Sequence, residues 1–555
     1  MVVAIATNLS TGCEDSTLSI EFVNKPQDFA VTYAPMNFRN SPMKSIVFIL
    51  LLSVSSFANG FGAKELNETT IAQIHDAMKE GKLTAVQIVQ LYLDRIRAYD
   101  KQGPFVNAIV QINAKALETA AELDRKFKET RQFVGPLHGI PIVVKDNFDV
   151  VGMATANGTL ALKDSFPPDD AFVIRKLRQA GAVFIARSNM AEFASSADFT
   201  VSSILPGYTR NPYDPLRTVA GSSGGTAAAV ASNFATVGLG TDTGSSVRAP
   251  AAFDSLVGFR PTLGLVSRDG IVPLNIMRDT AGPIARTVED AATLLDVMAG
   301  EDPADSVTAN SRGKIPKNYR DSLQKDGLKG VRIGIARQLF KADKSDPGIL
   351  QLMGRAIADL QKAGAVIVDD VEIDQFEEIT QAFKQYSRLK YDFNAYLASL
   401  GPNAPIKSLD EILKSKKFHP FLAKTLEDAQ KVEGKPEDSA DYQVNLKLEE
   451  QLRQAVMKVM DDKKLDVLAY PTATYPPRLI GDLNTPDGNN NRVLSPPTGF
   501  PAFSVPMGFT AGDLPAGIQF FGRPFSEPLL IRVSYAYEQA THQRRPPKTT
   551  PVLKK

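Results

Sequence analysis

Cysteine is almost missing from this chain: Cys13 is the only one in 555 residues. That excludes an intramolecular disulfide and a cysteine metal cluster. It also disfavours a Cys–His nucleophilic pair, because Cys13 lies in a polar N-terminal stretch with neither helical nor strand period. Histidine is sparse, at His75, His138, His419 and His542, and none sit at a zinc-ligand spacing such as HExxH. They read as structural or exposed, and no metal or other cofactor is expected. Neither sign of charge dominates: 63 basic residues face 62 acidic ones, for a net charge of +1. Such a balance makes no electrostatic case for nucleic acid or an anionic surface as partner. Tryptophan is absent, and no function attaches to that. The apolar run Ile46–Leu52 is too short to span a bilayer, and no internal repeat is found.

What is present is enough apolar sequence for a large core, with 43% hydrophobic and 23% charged residues. Residues 1–42 read as an upstream, disordered extension. Met43-Lys44, the apolar run and Ser56-Phe57-Ala58 then have the order of a secretory signal peptide, residues 43–58, with cleavage after Ala58. This predicts a periplasmic or secreted protein with no stable membrane insertion after cleavage. The cysteine-free mature chain suits an oxidising exterior. From Glu65 on, helical and strand patterns alternate. Gly139–Val144, Ala182–Ala186 and Thr236–Leu239 read as strands, and Ala171–Gln179 and Thr226–Ser232 as helices. The alternation predicts one large α/β/α domain over 65–545, with a central mixed, mostly parallel sheet covered by helices. Residues 546–555 read as a flexible tail. The charged segments Phe376–Leu400 and Ser408–Lys458 read as helices. Either they cap a site or they are an ordinary solvated face.

Two Gly/Ser loops stand out between core-like segments: Gly221-Ser222-Ser223-Gly224-Gly225 and Gly244-Ser245-Ser246. A flexible linker would not alternate with Ala/Val-rich sequence. Glycine lets successive N–H groups converge on one point. Two such loops together supply hydroxyls and N–H donors around one small volume, as acyl transfer requires. Ser246 is the candidate nucleophile, but a hydroxyl needs a base. Lys145 ends the apolar strand in GIPIVVKDN. Most strand-end lysines reach water; one held among apolar strands loses its preference for the charged form and serves as a general base near neutral pH.

The segments GPLHGIPIVVKDNFDVVGMAT, RTVAGSSGGTAAAVA and LGTDTGSSVRAPA closely resemble the amidase signature family. The resemblance extends to ARSNMAEFA, RNPYDP, LAYPTAT and TGFPAFSVPMGF, and so covers about Glu65 to Arg545. It implies a Ser-Ser-Lys triad: Ser246 as nucleophile, Ser222 as proton relay reached through a cis peptide bond after Gly221, and Lys145 as general base. It also implies an oxyanion hole from the N–H groups of Thr243, Gly244, Ser245 and Ser246, with Ser223 and Thr241 as supporting hydroxyls. Asp242 and Arg248 are expected to pair and stiffen the second loop. The implied reaction is hydrolysis of a small-molecule or peptide amide through an acyl-enzyme, by a chain that forms a homodimer or acts alone. Two positions depart from the family pattern. Ala220 replaces a usual glycine, which is tolerated if its φ is negative. Ser245 replaces another, and puts a side chain close to the oxyanion hole.

Three other readings compete. GSSGG also fits a nucleophile elbow, with Ser223 as nucleophile and His419 or His542 as base, although an elbow should follow a strand directly. The same fold serves as the glutaminase subunit of a tRNA-dependent amidotransferase, a cytosolic role at odds with an export signal. A non-catalytic binding protein on this scaffold would not need Lys145, Ser222 and Ser246 intact. Pocket walls are expected from the Ser195–Thr209 loop, the helices after Phe376 and the Asp482–Leu494 loop.

Overall fold

The computed structural model describes residues 61–554 except 197, 370 and 483. The expected extension 1–42, the signal peptide 43–58 and Cys13 lie outside the described residues. Eleven strands form one sheet: β1 (Ile109–Ile112), β2 (Pro141–Lys145), β3 (Val183–Ser188), β4 (Val237–Asp242), β5 (Val257–Arg260), β6 (Thr280–Ala285), β7 (Arg332–Ile335), β8 (Val366–Val368), β9 (Val467–Pro471), β10 (Ala502–Phe509) and β11 (Pro515–Phe521). Their spatial order is β1-β3-β2-β4-β6-β5-β10-β11-β9-β7-β8. Every residue of β2, β3, β4, β5, β6, β9 and β11 is buried. Successive strand side chains point to opposite faces, so both faces of the sheet are covered.

The α/β class and the mixed sheet are as expected; the emphasis on parallel pairing is not. Parallel ladders are confined to β3-β2-β4 and β9-β7-β8, where helices return the chain. From β4 through β6, β5, β10 and β11 to β9 every pairing is antiparallel. The segment from Val257, whose glycines and prolines suggest loop, supplies β5. Pro283 sits inside β6, whose neighbours nonetheless pair on both sides.

The Ala-rich helix Gly224–Ala231 is buried at every residue and packs on β2 and β4. Its small side chains make that approach possible. A methyl on Gly225 would lie 2.3 Å from the Asn189 carbonyl oxygen, and one on Gly240 would lie 2.8 Å from Ser223 Oγ. The first Gly/Ser loop is therefore drawn onto the carboxyl ends of β3 and β4, beside the second loop into which β4 leads. The segments Leu389–Ser399, Leu409–Ser415 and Ala423–Gln430 are helices, and they bury a second apolar cluster with Leu162, Phe193 and Val272. Tyr396 Oη donates to Asp149 Oδ1 at 2.8 Å, and Glu192 accepts from the His419 N–H at 3.0 Å. These helices are therefore docked on the segments that follow β2 and β3.

The expected flexible tail is instead docked. Thr550 is buried, and the Thr550 and Pro551 carbonyls accept from the Arg95 guanidinium at 2.7 and 2.9 Å. Arg95 is itself 1% exposed and needs these acceptors, since burial disfavours an unpaired charge. Deleting residues 546–555 strips two of its partners. We expect a loss of about 2–3 kcal/mol in urea unfolding; an unchanged midpoint would mean that the docking contributes nothing.

Candidate active site

β2 delivers Lys145 into the interior, where the side chain is 0% exposed. Its Nζ lies 2.7 Å from Ser222 Oγ, 2.7 Å from Thr241 Oγ1 and 3.5 Å from the Thr241 carbonyl oxygen. Burial drives the pKa of this amine down to about 7, against the upward pull of Asp242 and Asp279. Asn147, two residues on, donates to the same Thr241 Oγ1 at 3.1 Å. Thr241 Oγ1 thus accepts from two donors and fixes the amine beside Ser222.

Gly221–Ser222 is a cis peptide, as the resemblance implied. Ala220 before it does not meet the condition of a negative φ: it is left-handed, at +56°. Such a conformation costs an alanine about 1–2 kcal/mol. The Thr200 hydroxyl holds the Ala220 carbonyl at 3.0 Å, and the methyl packs with Ala249, Ala252, Phe253 and Ala473. Ser223 is fully buried. Its Oγ donates to the Thr241 carbonyl at 3.2 Å and accepts from the Thr241 N–H at 3.3 Å. A hydroxyl so engaged is a brace, which removes the basis for Ser223 as nucleophile. His419 accepts from the Phe421 N–H and caps a turn of the cap segment, with no bond to any of these serines among the described residues.

Ser246 is 4% exposed. Its carbonyl accepts from the Ser223 N–H at 3.2 Å, which ties the two Gly/Ser loops together. The structure brings Lys145, Ser222, Thr241 and Ser223 into hydrogen-bond contact with one another or with the backbone between them. The Ser246 hydroxyl makes no hydrogen bond among the described residues, so the Ser222–Ser246 link is not closed here. The N–H groups of Thr243, Gly244, Ser245 and Ser246 likewise donate to no protein acceptor among the described residues. All four residues line a cleft of about 410 Å³. Its walls carry Ser195, Ser196 and Asp198, then Tyr386, Ser387, Arg388 and Phe421, then Arg492. These come from the three segments expected as walls. The turn Leu274–Arg278 is a fourth that sequence reasoning missed.

Asp242 anchors the second loop. Arg248 Nε and Nη2 donate to its two oxygens at 3.0 and 3.1 Å, and Arg260 Nη1 reaches Oδ1 at 3.2 Å. Burial works against this carboxylate, but the two guanidiniums outweigh it and hold its pKa at about 2. Asp242 also accepts from the Val247 N–H at 3.1 Å, fixing the start of the helix Arg248–Phe253. Asp279 does the same from the other side. It accepts from Thr243 Oγ1 at 2.5 Å and from the Leu274 and Asn275 N–H groups, both at 2.9 Å, and burial lifts its pKa to about 6.

A profile of the Amidase family matches residues 87–531. The chain belongs to the amidase family. A probable amidase of Arabidopsis thaliana is 33% identical over 508 residues, covering 87% of this chain and 92% of the relative. The A subunit of the glutamyl-tRNA(Gln) amidotransferase of Moorella thermoacetica is 34% identical over 505 residues, covering 87% and 99%. The crystal structure of native peptide amidase from Stenotrophomonas maltophilia superposes with a TM-score of 0.78 at 36% identity, covering 87% and 98%. This amidase is a hydrolase of carboxylic amide C–N bonds. Asn147 and Asp279, which hold Thr241 and Thr243 from behind the cleft, are supports of the site that sequence reasoning missed. Asn147 had a signal, lying at i+2 from Lys145 on a strand's continuation; Asp279 had none.

Removing the charge at position 242 leaves two buried guanidiniums facing no carboxylate. Asp242→Asn should lower stability by about 3–5 kcal/mol, read by denaturant unfolding. A loss below about 1 kcal/mol would mean that the pair does not anchor the loop.

Proposed function

We propose that this amidase cleaves its substrate through a Ser246 acyl-enzyme, with Ser222 as proton relay, Lys145 as general base and the Thr243–Ser246 N–H groups as oxyanion hole. The observation that carries the reading is the buried Lys145 amine, 2.7 Å from Ser222 Oγ and with its pKa near 7. A neutral amine has two hydrogens and one lone pair. Thr241 Oγ1 and the Thr241 carbonyl take the hydrogens, which leaves the lone pair for the Ser222 hydroxyl proton. Ser246 Oγ attacks the amide carbonyl carbon, its proton passes to Ser222, and that of Ser222 passes to Lys145. The carbonyl oxygen becomes an oxyanion facing the free N–H groups, each worth about 3 kcal/mol of barrier. The C–N bond then breaks, and the proton returns from Lys145 through Ser222 to the leaving amine or ammonia. Water, deprotonated by the same relay, hydrolyses the ester. The open Ser222–Ser246 link closes with substrate bound, as catalytic hydrogen bonds commonly do.

The width of the cleft and the likeness to a peptide amidase support a peptide or acyl amide as substrate. The likeness to a subunit of an amidotransferase supports a second reading, in which the chain releases ammonia from glutamine for a partner. The export-like order of residues 43–58 favours the first, together with a periplasmic or secreted location. In that case N-terminal sequencing of the exported protein should begin at Asn59; a mature chain starting at Met1 would overturn this part.

The base must lose a proton to act. The free-enzyme kcat/KM should therefore rise with pH through about 7 and flatten above it. Ser246→Ala should abolish hydrolysis and fluorophosphonate labelling. A profile flat from pH 5 to 9, or a Ser246→Ala enzyme that still labels, would refute these assignments. Free glutamine as the one amide cleaved would transfer the weight to the second reading.

A further inference from the structure

Ser245 is, with Ala220, one of two positions at which this chain carries a side chain where its family resemblance implies glycine. That side chain is fully buried, and its Oγ accepts from Asn489 Nδ2 at 2.9 Å. Asn489 belongs to the wall loop Asp482–Leu494, whose neighbouring residues clip to the same turn. Arg248 Nη1 reaches Asn491 Oδ1 at 3.2 Å, and Arg248 Nη2 holds the Gly244 carbonyl at 2.7 Å. The Arg492 stem passes so close that a methyl on Gly244 would stand 3.4 Å from its Cγ. Arg492 then reaches Asp198 at 3.1 Å, in the Ser195–Thr209 wall. The loop backbone turns on the Asn489 side chain, whose Oδ1 accepts from the Asn491 N–H at 3.2 Å. The Ser245 hydroxyl thus sits at the root of the segment that hangs Arg492 over the oxyanion turn.

We propose that Ser245, acting through Asn489, is a positioning residue that docks the Asp482–Leu494 wall on the oxyanion turn and so sets where Arg492 meets the acyl part of the substrate. The proposal rests on the hydrolase reading above and deepens it. An amide with an acyl chain long enough to reach Arg492 reads this wall; a short amide held only at the turn does not. Both side chains lie outside the proton relay, and because Ser245 also carries an N–H of the oxyanion turn, Asn489 is the clean probe: its loss affects binding of the long substrate rather than the bond-breaking step.

The test compares wild type, Asn489→Ala, Ser245→Ala and the double variant on a short primary amide and on an extended peptide amide. Asn489→Ala should raise KM for the peptide amide about fivefold, the effect of one neutral hydrogen bond, with kcat within twofold and the short amide unaffected. Ser245→Ala should raise the peptide KM to a similar level, and the double variant no further, because the two residues share one contact. The proposal is overturned if Asn489→Ala leaves the peptide KM unchanged, if the two effects add, or if Asn489→Ala lowers kcat for the short amide. Hydrolysis that survives Ser246→Ala at the wild-type rate would count against the hydrolase mechanism instead, so the two failures are told apart.

Discussion

An amine taken wholly out of water is the constraint around which the rest of this structure is arranged. Lys145 is held between Ser222 and Thr241 with no exposed surface. Moving a positive charge to such a place is costly, and the group answers by giving up its preference for the proton. The two nearby carboxylates, Asp242 and Asp279, temper the shift without reversing it. Asp242 is already committed to two guanidiniums. Burial outweighs its pull and that of Asp279, and the lysine is left with a pKa of about 7.

Holding that amine in place takes a rigid surround, and the sheet supplies it. The parallel block β3-β2-β4 brings the ends of β2 and β4 side by side, so Lys145 and Thr241 meet without a loop between them. The antiparallel block beyond β4 carries Arg260 on β5 and Gln519 on β11, and both contact the Asp242–Arg248 pair. A sheet that changes from parallel to antiparallel at β4 thus sets Lys145 on one side of that strand and the Arg260 and Gln519 braces of the Asp242–Arg248 pair at its end on the other.

The chemistry is more legible in the sequence than the scaffold is. Lys145, Ser222 and Ser246 sit in short, glycine-bounded motifs whose residue types permit few other uses. The walls are also legible, because the segments least like the family motifs are the ones that line the cleft. What escapes depends on distant partners. Nothing near Thr550 announces Arg95, 455 residues away. Asp279 reads as an ordinary turn acid until Thr243 and the Leu274–Asn275 turn are seen around it. Strand β6 is hidden by Gly282 and Pro283, whose local preferences lose to ladders on both sides. The condition of a negative φ set for Ala220 is not met for a related reason: the conformation there goes with the loop's attachment to Thr200, and no single residue type reports it.

These observations separate two kinds of dependence within one cleft. Lys145, Ser222, Ser223 and Thr241 are fixed by strands and by fully buried polar contacts, which tolerate little movement before a buried donor or acceptor is left without a partner. The walls are fixed by loops whose contacts are fewer and partly exposed, such as Arg492 to Asp198. A chain built this way can vary the groups that touch the acyl portion while the proton path stays as it is. Ser245 is where the two regimes touch: its N–H faces the cleft with those of Thr243, Gly244 and Ser246, and its hydroxyl belongs to the wall. Glycine at that position would leave Arg248 as the tie between the turn and the wall. Serine adds one hydrogen bond to that tie, through a side chain that the family pattern does not supply.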